Sequence, residues 1–482
     1  MTALLALMPC VVVVVGVLIL RVSGLTAAWL ALGCASVIWL FAPFEPASLG
    51  HLGRAVADTF VLELLVGSVV FTGLMFVDAS TRSGAPLAIR ALIEGLDLPP
   101  ARTAIMVTTG IGIMVESLTG YGVSMLVTLP LLLLSFSRQK AIVLALVGMS
   151  LMPWGALSVS ALLGAELAGV PVSVLSDALL LTSGPVAVLL PVMCVLVTQG
   201  TRTTELPFAV LSGCVLLGGI TVTSQWLGVE VAGVGGGFAV LVLCVATGKR
   251  SSNAFAAMKR REFSPFAFLL GALLVQKALL FLFSQFSAEV SLATARVSFT
   301  PLASPALALL AGAWLTHQQL KQTDPTDVGV LLGRVFGRAW RALLSILVFL
   351  LTARLLLEAG AVSALGDWLS GLGRNGAVVT VTALGGLGAY VTGSGVTANA
   401  LFMPSAAATG QHFDLLTLFA ALQHSAAGHA AMASLPVVAV LLAALPKGEA
   451  GDEAYALRSG LMLALLWVSM VAASGFAQIS LT

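Results

Sequence analysis

The scarce polar residues of this chain cluster in two short, glycine-broken stretches. The first is Glu116-Ser-Leu-Thr-Gly-Tyr-Gly-Val-Ser124 and the second is Thr392-Gly-Ser-Gly-Val-Thr-Ala-Asn399. Gly120, Gly122, Gly393 and Gly395 let the backbone leave helical geometry without a steric cost. The N–H groups freed at a half-helix N-terminus then converge on one spot and carry partial positive charge. An anion could exchange its hydration there for backbone hydrogen bonds. Ser117, Thr119, Tyr121 and Ser124 in one stretch, and Thr392, Ser394, Thr397 and Asn399 in the other, add side-chain partners. The structural alternative is a pair of kinked helices packed through small residues.

Charged and titratable groups inside apolar runs are expensive, so each is a functional candidate. Glu116 stands at the tip of the first stretch, and a carboxyl taken out of water there can carry a coupled proton. His424 and His429 lie in the middle of a later apolar run, and histidine changes charge near physiological pH. Either could relay a proton, or simply hydrogen-bond across helices. Arg354 could take a substrate carboxylate side-on, pair with Glu358 one turn on, or snorkel to the interface. Asp78, close to Arg82, is a further proton-coupling candidate with an ion-pair alternative. Glu63 reads as facing an interface, and Lys277 and Arg296 suggest no partner. No acid or cysteine stands at ligand spacing beside the histidines, so no metal and no cofactor is expected.

The elements that must position these groups follow from composition. Of 482 residues, 59% are hydrophobic and 9% charged, against roughly 25% charged in soluble domains. Mean hydropathy is +1.06. A soluble enzyme, a nucleic-acid binder and a disordered regulator are excluded. Long unbroken runs also exclude a β-barrel. The five cysteines (Cys10, Cys34, Cys194, Cys214, Cys244) sit in apolar runs without paired spacing, so no disulfide framework is expected. The first apolar run begins without a basic leader and reads as a retained span.

Complete spans are expected at 3–20, 24–42, 59–77, 140–162, 174–198, 206–225, 230–247, 264–286, 300–318, 330–358, 413–446 and 455–478, since about 20 apolar residues cross the hydrocarbon. The run 413–446 should be broken near Gly428 and Pro436. The stretches 102–136 and 376–409 read as helical hairpins bearing the two polar tips. Lys and Arg fall on one side, taken as cytoplasmic, in the loop 248–263 (Lys249, Arg250, Lys259, Arg260, Arg261) and near Lys321, Arg334, Arg338, Arg341, Arg202, Arg138, Lys140, Arg82, Arg90 and Arg21.

A repeat appears at an offset of 276: Gly84 with Gly360, Ala85 with Ala361, Gly95-Leu96 with Gly371-Leu372, Gly110 with Gly386 and Gly112 with Gly388. The same offset sets Glu116 against Thr392. The charge pattern makes the two copies run in opposite directions, an arrangement found in secondary transporters with a midplane site. The fold class is therefore an all-α polytopic membrane protein of about 12 transmembrane helices plus two helical hairpins, in inverted-topology repeats. Residues 1–482 form one transporter domain: a first repeat over 59–225, connecting spans over 226–329, and a second repeat over 330–482.

The stretch Glu116-Ser-Leu-Thr-Gly-Tyr-Gly122, leading to Pro130, resembles the Glu-Gly-Ala-Ala-Gly-Phe-Gly stretch of the bacterial L-lactate permease family. Thr392-Gly-Ser-Gly-Val-Thr-Ala-Asn-Ala-Leu-Phe402 is similar to that family's Gly/Ser-Thr-Asn-Ala-Leu-Phe stretch. The resemblance implies proton-coupled uptake of 2-hydroxy monocarboxylates such as lactate and glycolate across the inner membrane. Two departures bear on substrate: Ser117-Leu118-Thr119 replaces Gly-Ala-Ala, and His429 stands where the family has lysine.

A secondary transporter for a small organic anion, by proton symport and alternating access, is thus the expected function. The expected partners are that anion, a proton and the bilayer, with no nucleic acid; a homo-oligomer is compatible with the composition. The alternatives are a transporter of another organic acid or anion coupled to sodium, and an anion channel, although two unlike tips do not form a ring-type filter. No enzymatic role is expected. Thr392 stands where a Gly-x-Ser-Gly hydrolase motif needs glycine, and no phosphate-binding loop occurs.

Overall fold

The computed structural model describes residues 2–41, 48–120, 122–200, 204–248, 261–283, 290–321, 324, 326–446, 449 and 451–481. Among them, the only strands are Leu292–Ala293 and Ser298–Phe299, paired antiparallel; the ordered elements are otherwise helices. Among the described residues, eight helices are long and apolar enough to cross a membrane, or up to nine with one bent pair. Large apolar side chains face outward, Trp226 and Phe281 among them, as they must where the surrounding solvent is hydrocarbon.

The expected twelve spans are not reached by length and apolarity alone. Thr2–Leu18 and Ala306–Leu320 are shorter than the roughly 20 residues a straight span needs. The run 140–162 is not one span. It divides into Arg138–Gly148 and Val159–Ala168, separated by the short turns Met152–Trp154 and Ala156–Ser158. Pro153 and Gly155 sit in that break, and proline supplies no backbone donor to continue the helix. The run 413–446 is broken as expected: Leu416–Ala430, the turn Ala431–Ala433, then Leu435–Ala443, with a 41° bend.

Two long helices form a pair of arms. The first, Leu49–Arg82, starts at Ser48, whose side chain accepts from His51 N (3.1 Å). The second, Val328–Glu358, starts at Asp327, whose side chain accepts from Gly329 N (2.7 Å). At 34 and 31 residues they measure about 51 and 46 Å, well beyond the roughly 30 Å hydrocarbon core. Each ends at a left-handed glycine, Gly84 (φ 82°) or Gly360 (φ 75°), followed by the short amphipathic helices Ala85–Leu96 and Ala361–Ser370.

Ion pairs fix the direction of the arms. Arg54 bonds Glu358 (2.9 Å), Arg354 faces Asp58 (3.8 Å) and Arg334 bonds Asp78 (3.0 Å). Each advance along the first arm is matched by an equal retreat along the second, so the arms are antiparallel. The midpoint between the outer pairs falls at Val66 and Ile346, both buried.

The same order of elements follows each arm. Pro100–Thr119, π-helical over Met106–Gly112, corresponds to Gly373–Thr392. The returning helices are Val123–Leu133 and Gly395–His412. A broken helix comes next in each case, and then a 28-residue helix, Val172–Gln199 or Asp452–Ile479. The expected gapless register is lost before the tip helices begin. The segment between the arm-end glycine and the tip helix is three residues longer in the first copy. Thr119 therefore corresponds to Thr392 and Gly120 to Gly393, and Glu116 does not meet Thr392.

Candidate functional site

Both tips are built the same way in the backbone. The last hydroxyl of the incoming helix bonds back one turn: Thr119 Oγ1 to Val115 O (2.6 Å) and Thr392 Oγ1 to Gly388 O (2.7 Å). The next residue is a glycine with positive φ, Gly120 at 69° and Gly393 at 74°. Each glycine N–H closes the final turn, onto Glu116 O and Ala389 O, both at 2.8 Å. The chain then reverses into a second helix whose first N–H groups lack intrahelical acceptors.

Those N–H groups are satisfied differently in the two tips. In the first, the buried Glu116 carboxylate accepts from Gly122 N (3.1 Å) and Ser124 N (3.3 Å). The protein's own carboxyl group thus occupies the helix N-terminus where a substrate anion was expected. In the second, the neutral Ser394 Oγ accepts from Thr397 N (3.3 Å), and the positive end of an 18-residue helix is left without a protein carboxylate among the described residues.

The tips meet at the break in the first broken helix. A Cβ at Gly120 would lie 2.5 Å from Ala156 Cβ, so glycine is required by contact as well as by φ. The second tip borders a cavity of about 30 Å³ lined by Gly393, Ser394, Gly395, Val396, Met152, Gly155, Ala156, Val159 and Ser160. That space holds a water molecule or two and is too small for a hydroxy acid of six non-hydrogen atoms. Ala156, Leu157 and Ser158 have φ of 50°, 49° and 55°. Left-handed geometry costs a residue with a Cβ roughly 1–2 kcal/mol, and three in succession mark a strained segment of the kind found at working sites. Ser158 Oγ anchors it to Val229 O (2.7 Å).

Asn399 is the pivot on the second-tip helix. Its Nδ2 donates to Ser160 O and faces His424 Nδ1, both at 2.8 Å. Its Oδ1 has no partner among the described residues. Gly164 allows this approach, since a Cβ there would lie 3.0 Å from Asn399 Nδ2. His424 Nε2 reaches Pro153 O (3.0 Å). His429 bonds Ser150 O (2.5 Å) and Ser183 Oγ (2.9 Å). Both imidazoles have both nitrogens occupied and tie the second broken helix to the first half of the chain.

The structure does not bring every expected residue to the tips. The Ser117 hydroxyl points at Gly233 of the helix Ala232–Thr247, where a Cβ would collide with it. Asp78 lies at one end of the arms with Arg334, Arg82 (3.7 Å) and Arg338 (3.7 Å). Arg354 is buried near the other end, facing Asp58 rather than Glu358, which is taken by Arg54 and Arg296. Lys277 does have a partner, Glu230 (3.1 Å). Tyr121, Arg202, Lys249, Arg250, Lys259 and Arg260 lie outside the described residues.

Two features escaped the sequence reading. The break at Met152–Ser158 carries a Pro153-Trp154-Gly155 signal that an apolar count passes over. Glu63 is not near a helix end; it stands close to the middle of the first arm beside Gly67, with Oε2 unpartnered among the described residues. Among those residues no cluster of His, Cys, Asp or Glu could hold a metal ion.

No curated protein matches this chain. The L-lactate permease family matches residues 2–263 and 262–482. With nearly the whole sequence covered, and with apolar helices throughout, the chain belongs to the L-lactate permease family of multi-pass membrane transporters.

Proposed function

We propose that the protein is a secondary carrier of a small 2-hydroxy monocarboxylate, lactate or glycolate, by proton symport across the bacterial inner membrane. The observation that carries this reading is the convergence of two glycine-hinged tips, one from each half, on a single strained helix break. The substrate carboxylate binds at the N-terminus of Gly395–His412 when movement of the two halves widens the small tip cavity, because backbone N–H groups and the helix dipole there favour an anion. Thr397 adds a hydroxyl donor, and Asn399 Oδ1, without a partner among the described residues, accepts the substrate hydroxyl.

The first tip carries the proton. Its cap needs both Glu116 oxygens as acceptors, and a proton on either one weakens the cap. Protonation is thereby linked to the shape of the first tip and, through Gly120 and Ala156, to the break that lines the second. The two copies are inverted repeats that rock or slide past each other to alternate access. The Lys/Arg distribution puts the Asp78–Arg334 end of the arms in the cytoplasm and the Arg54–Glu358 end outside.

Uptake of radiolabelled L-lactate and glycolate into proteoliposomes, with an imposed pH gradient, tests the reading. Saturable uptake that rises with the gradient is expected, with the gradient dependence lost in Glu116→Gln. Uptake that follows a sodium gradient and ignores pH would overturn the proton assignment. Unsaturable flux would overturn the carrier.

A further inference from the structure

Arg54 and Arg102 show what a guanidinium does in this protein when a carboxylate is available. Arg54 gives Nε (3.2 Å) and Nη2 (2.9 Å) to Glu358. Arg102 gives the same two nitrogens to Glu205, at 2.7 and 3.4 Å. This edge is the one that grips a carboxylate side-on. In Arg354 that edge is bare: Nε and Nη2 are buried, with no hydrogen-bond partner among the described residues. The side chain is only 6% exposed, so water from the surface does not compensate.

The neighbouring acids are held away from it. Asp58 Oδ2 stands 3.8 Å from Nη1, the opposite edge of the guanidinium, and is itself without a partner among the described residues. Its other oxygen accepts from Thr294 Oγ1 (2.5 Å). Glu358, one turn along, is occupied by Arg54 and Arg296. Glu166 accepts from Ser298 N (2.5 Å). Thr294, Arg296 and Ser298 belong to the small hairpin built on Leu292–Ala293 and Ser298–Phe299. It therefore fastens to the first arm, the second arm and the first broken helix around Arg354. A buried guanidinium with two idle donors is costly to keep unless a ligand uses them.

We propose that the free Nε/Nη2 edge of Arg354 is a second carboxylate-binding position, occupied by the transported monocarboxylate between the extracytoplasmic side and the tip cavity, with the 292–299 hairpin as its cover. Leu350, one turn before Arg354, belongs to the same apolar cluster as Val396 and Ala400 of the second-tip helix, and Arg354 is not among the residues lining the tip cavity. The proposal rests on the reading of the protein as a carrier of a small organic anion.

Concentration-dependent L-lactate uptake should be compared in proteoliposomes of wild type, Arg354→Lys, and the double variant Asp58→Asn/Arg354→Gln, with Asn399→Ala as a tip control. Lysine keeps the charge but not the fork; the double variant removes the buried pair together, leaving no lone charge. Both are expected to raise KM about tenfold or more while Vmax stays within about twofold, the signature of lost binding rather than lost chemistry or folding. Wild-type KM in the double variant would overturn the proposal, because Arg354 would then serve only to neutralise Asp58. Unchanged KM in Arg354→Lys would overturn it as well. Absence of saturable uptake in wild type for lactate, glycolate and other hydroxy acids would instead sink the carrier reading, and this position with it.

Discussion

The two tips share a backbone design and differ in who supplies the negative charge. Thr119-Gly120 and Thr392-Gly393 make the same turn with the same hydrogen bonds. Glu116 then fills the first helix N-terminus with a carboxylate, while Ser394 leaves the second with only a neutral cap. Duplicated architecture thus produces two unlike tips: one whose helix N-terminus is capped by a carboxyl group of its own chain, and one capped by a neutral hydroxyl. The breaks differ as well. Ala156–Ser158 is left-handed throughout, whereas Ala431–Ala433 is an ordinary right-handed turn followed by Ser434, which caps Val437 N at 3.4 Å.

The contrast is most exposed to test at the glycines. Gly120 has φ 69° and ψ −171° and touches Ala156. Its backbone lies in a region essentially reserved for glycine. Gly120→Ala is expected to lower stability by about 3 kcal/mol, combining backbone strain with overpacking. At the equivalent Gly393, with φ 74° and ψ 15° in the ordinary left-handed region, alanine should lower it by only about 1–2 kcal/mol. Thermal unfolding in detergent reads the difference; equal losses would mean the tips are not differently packed.

Asn399→Ala should slow lactate uptake about thirtyfold, corresponding to about 2 kcal/mol for lost buried hydrogen bonds, while leaving the Glu116-capped tip intact. Its readout is kcat/KM for uptake beside the pH-gradient dependence. Loss of the gradient dependence alone would move the proton-bearing group to the second tip.

The breaks offer a smaller and opposite-signed pair. Ala156→Gly should stabilise by about 1 kcal/mol by relieving a left-handed alanine, and Ala431→Gly should destabilise by about 0.5–1 kcal/mol. The same sign in both would remove the claim of strain at the first break.

The smallest effect is expected at the solvent-facing clamp of the arms. Asp324 accepts from the Thr326 hydroxyl (2.6 Å) and from Arg82 Nε (2.7 Å). The Thr326 hydrogen bond first, and Arg82 second, hold its carboxyl below the ordinary value of 3.8. A lowered folded-state value stabilises above the unfolded one and is lost as pH falls through the folded one. The clamp should therefore be insensitive to pH between 5 and 8 and weaken only below about pH 4. Unfolding temperature against pH, compared with Asp324→Asn, checks this.

Hydropathy and glycine placement make the tips legible in the sequence, because a backbone interruption in a long apolar run is tolerated only where it is buried in protein or lines a cavity. The break in 413–446 was legible for the same reason. The break at Met152–Ser158 was not, since its residues are nearly all apolar and an apolar count sees a continuous span. Ser117 looked like a tip hydroxyl from its position in the chain, yet helical rotation turns it onto Gly233. The three-residue difference between the copies was hidden by shared glycines further along.

By itself, the sequence determined the membrane class, the two broken tips and the recurrence of one plan in both halves. These depend on local quantities: transfer free energy per residue, and the backbone freedom of glycine. Only the tertiary structure decided which charges meet. Arg54 with Glu358, and Arg334 with Asp78, are paired by antiparallel arms, and no local rule selects a partner hundreds of residues away. It also decided that Glu116 caps its own tip helix while Arg354 Nε and Nη2 meet no hydrogen-bond partner among the described residues. Packing among the arms, the broken helices and the 292–299 hairpin sets those distances, and the distances set the chemistry.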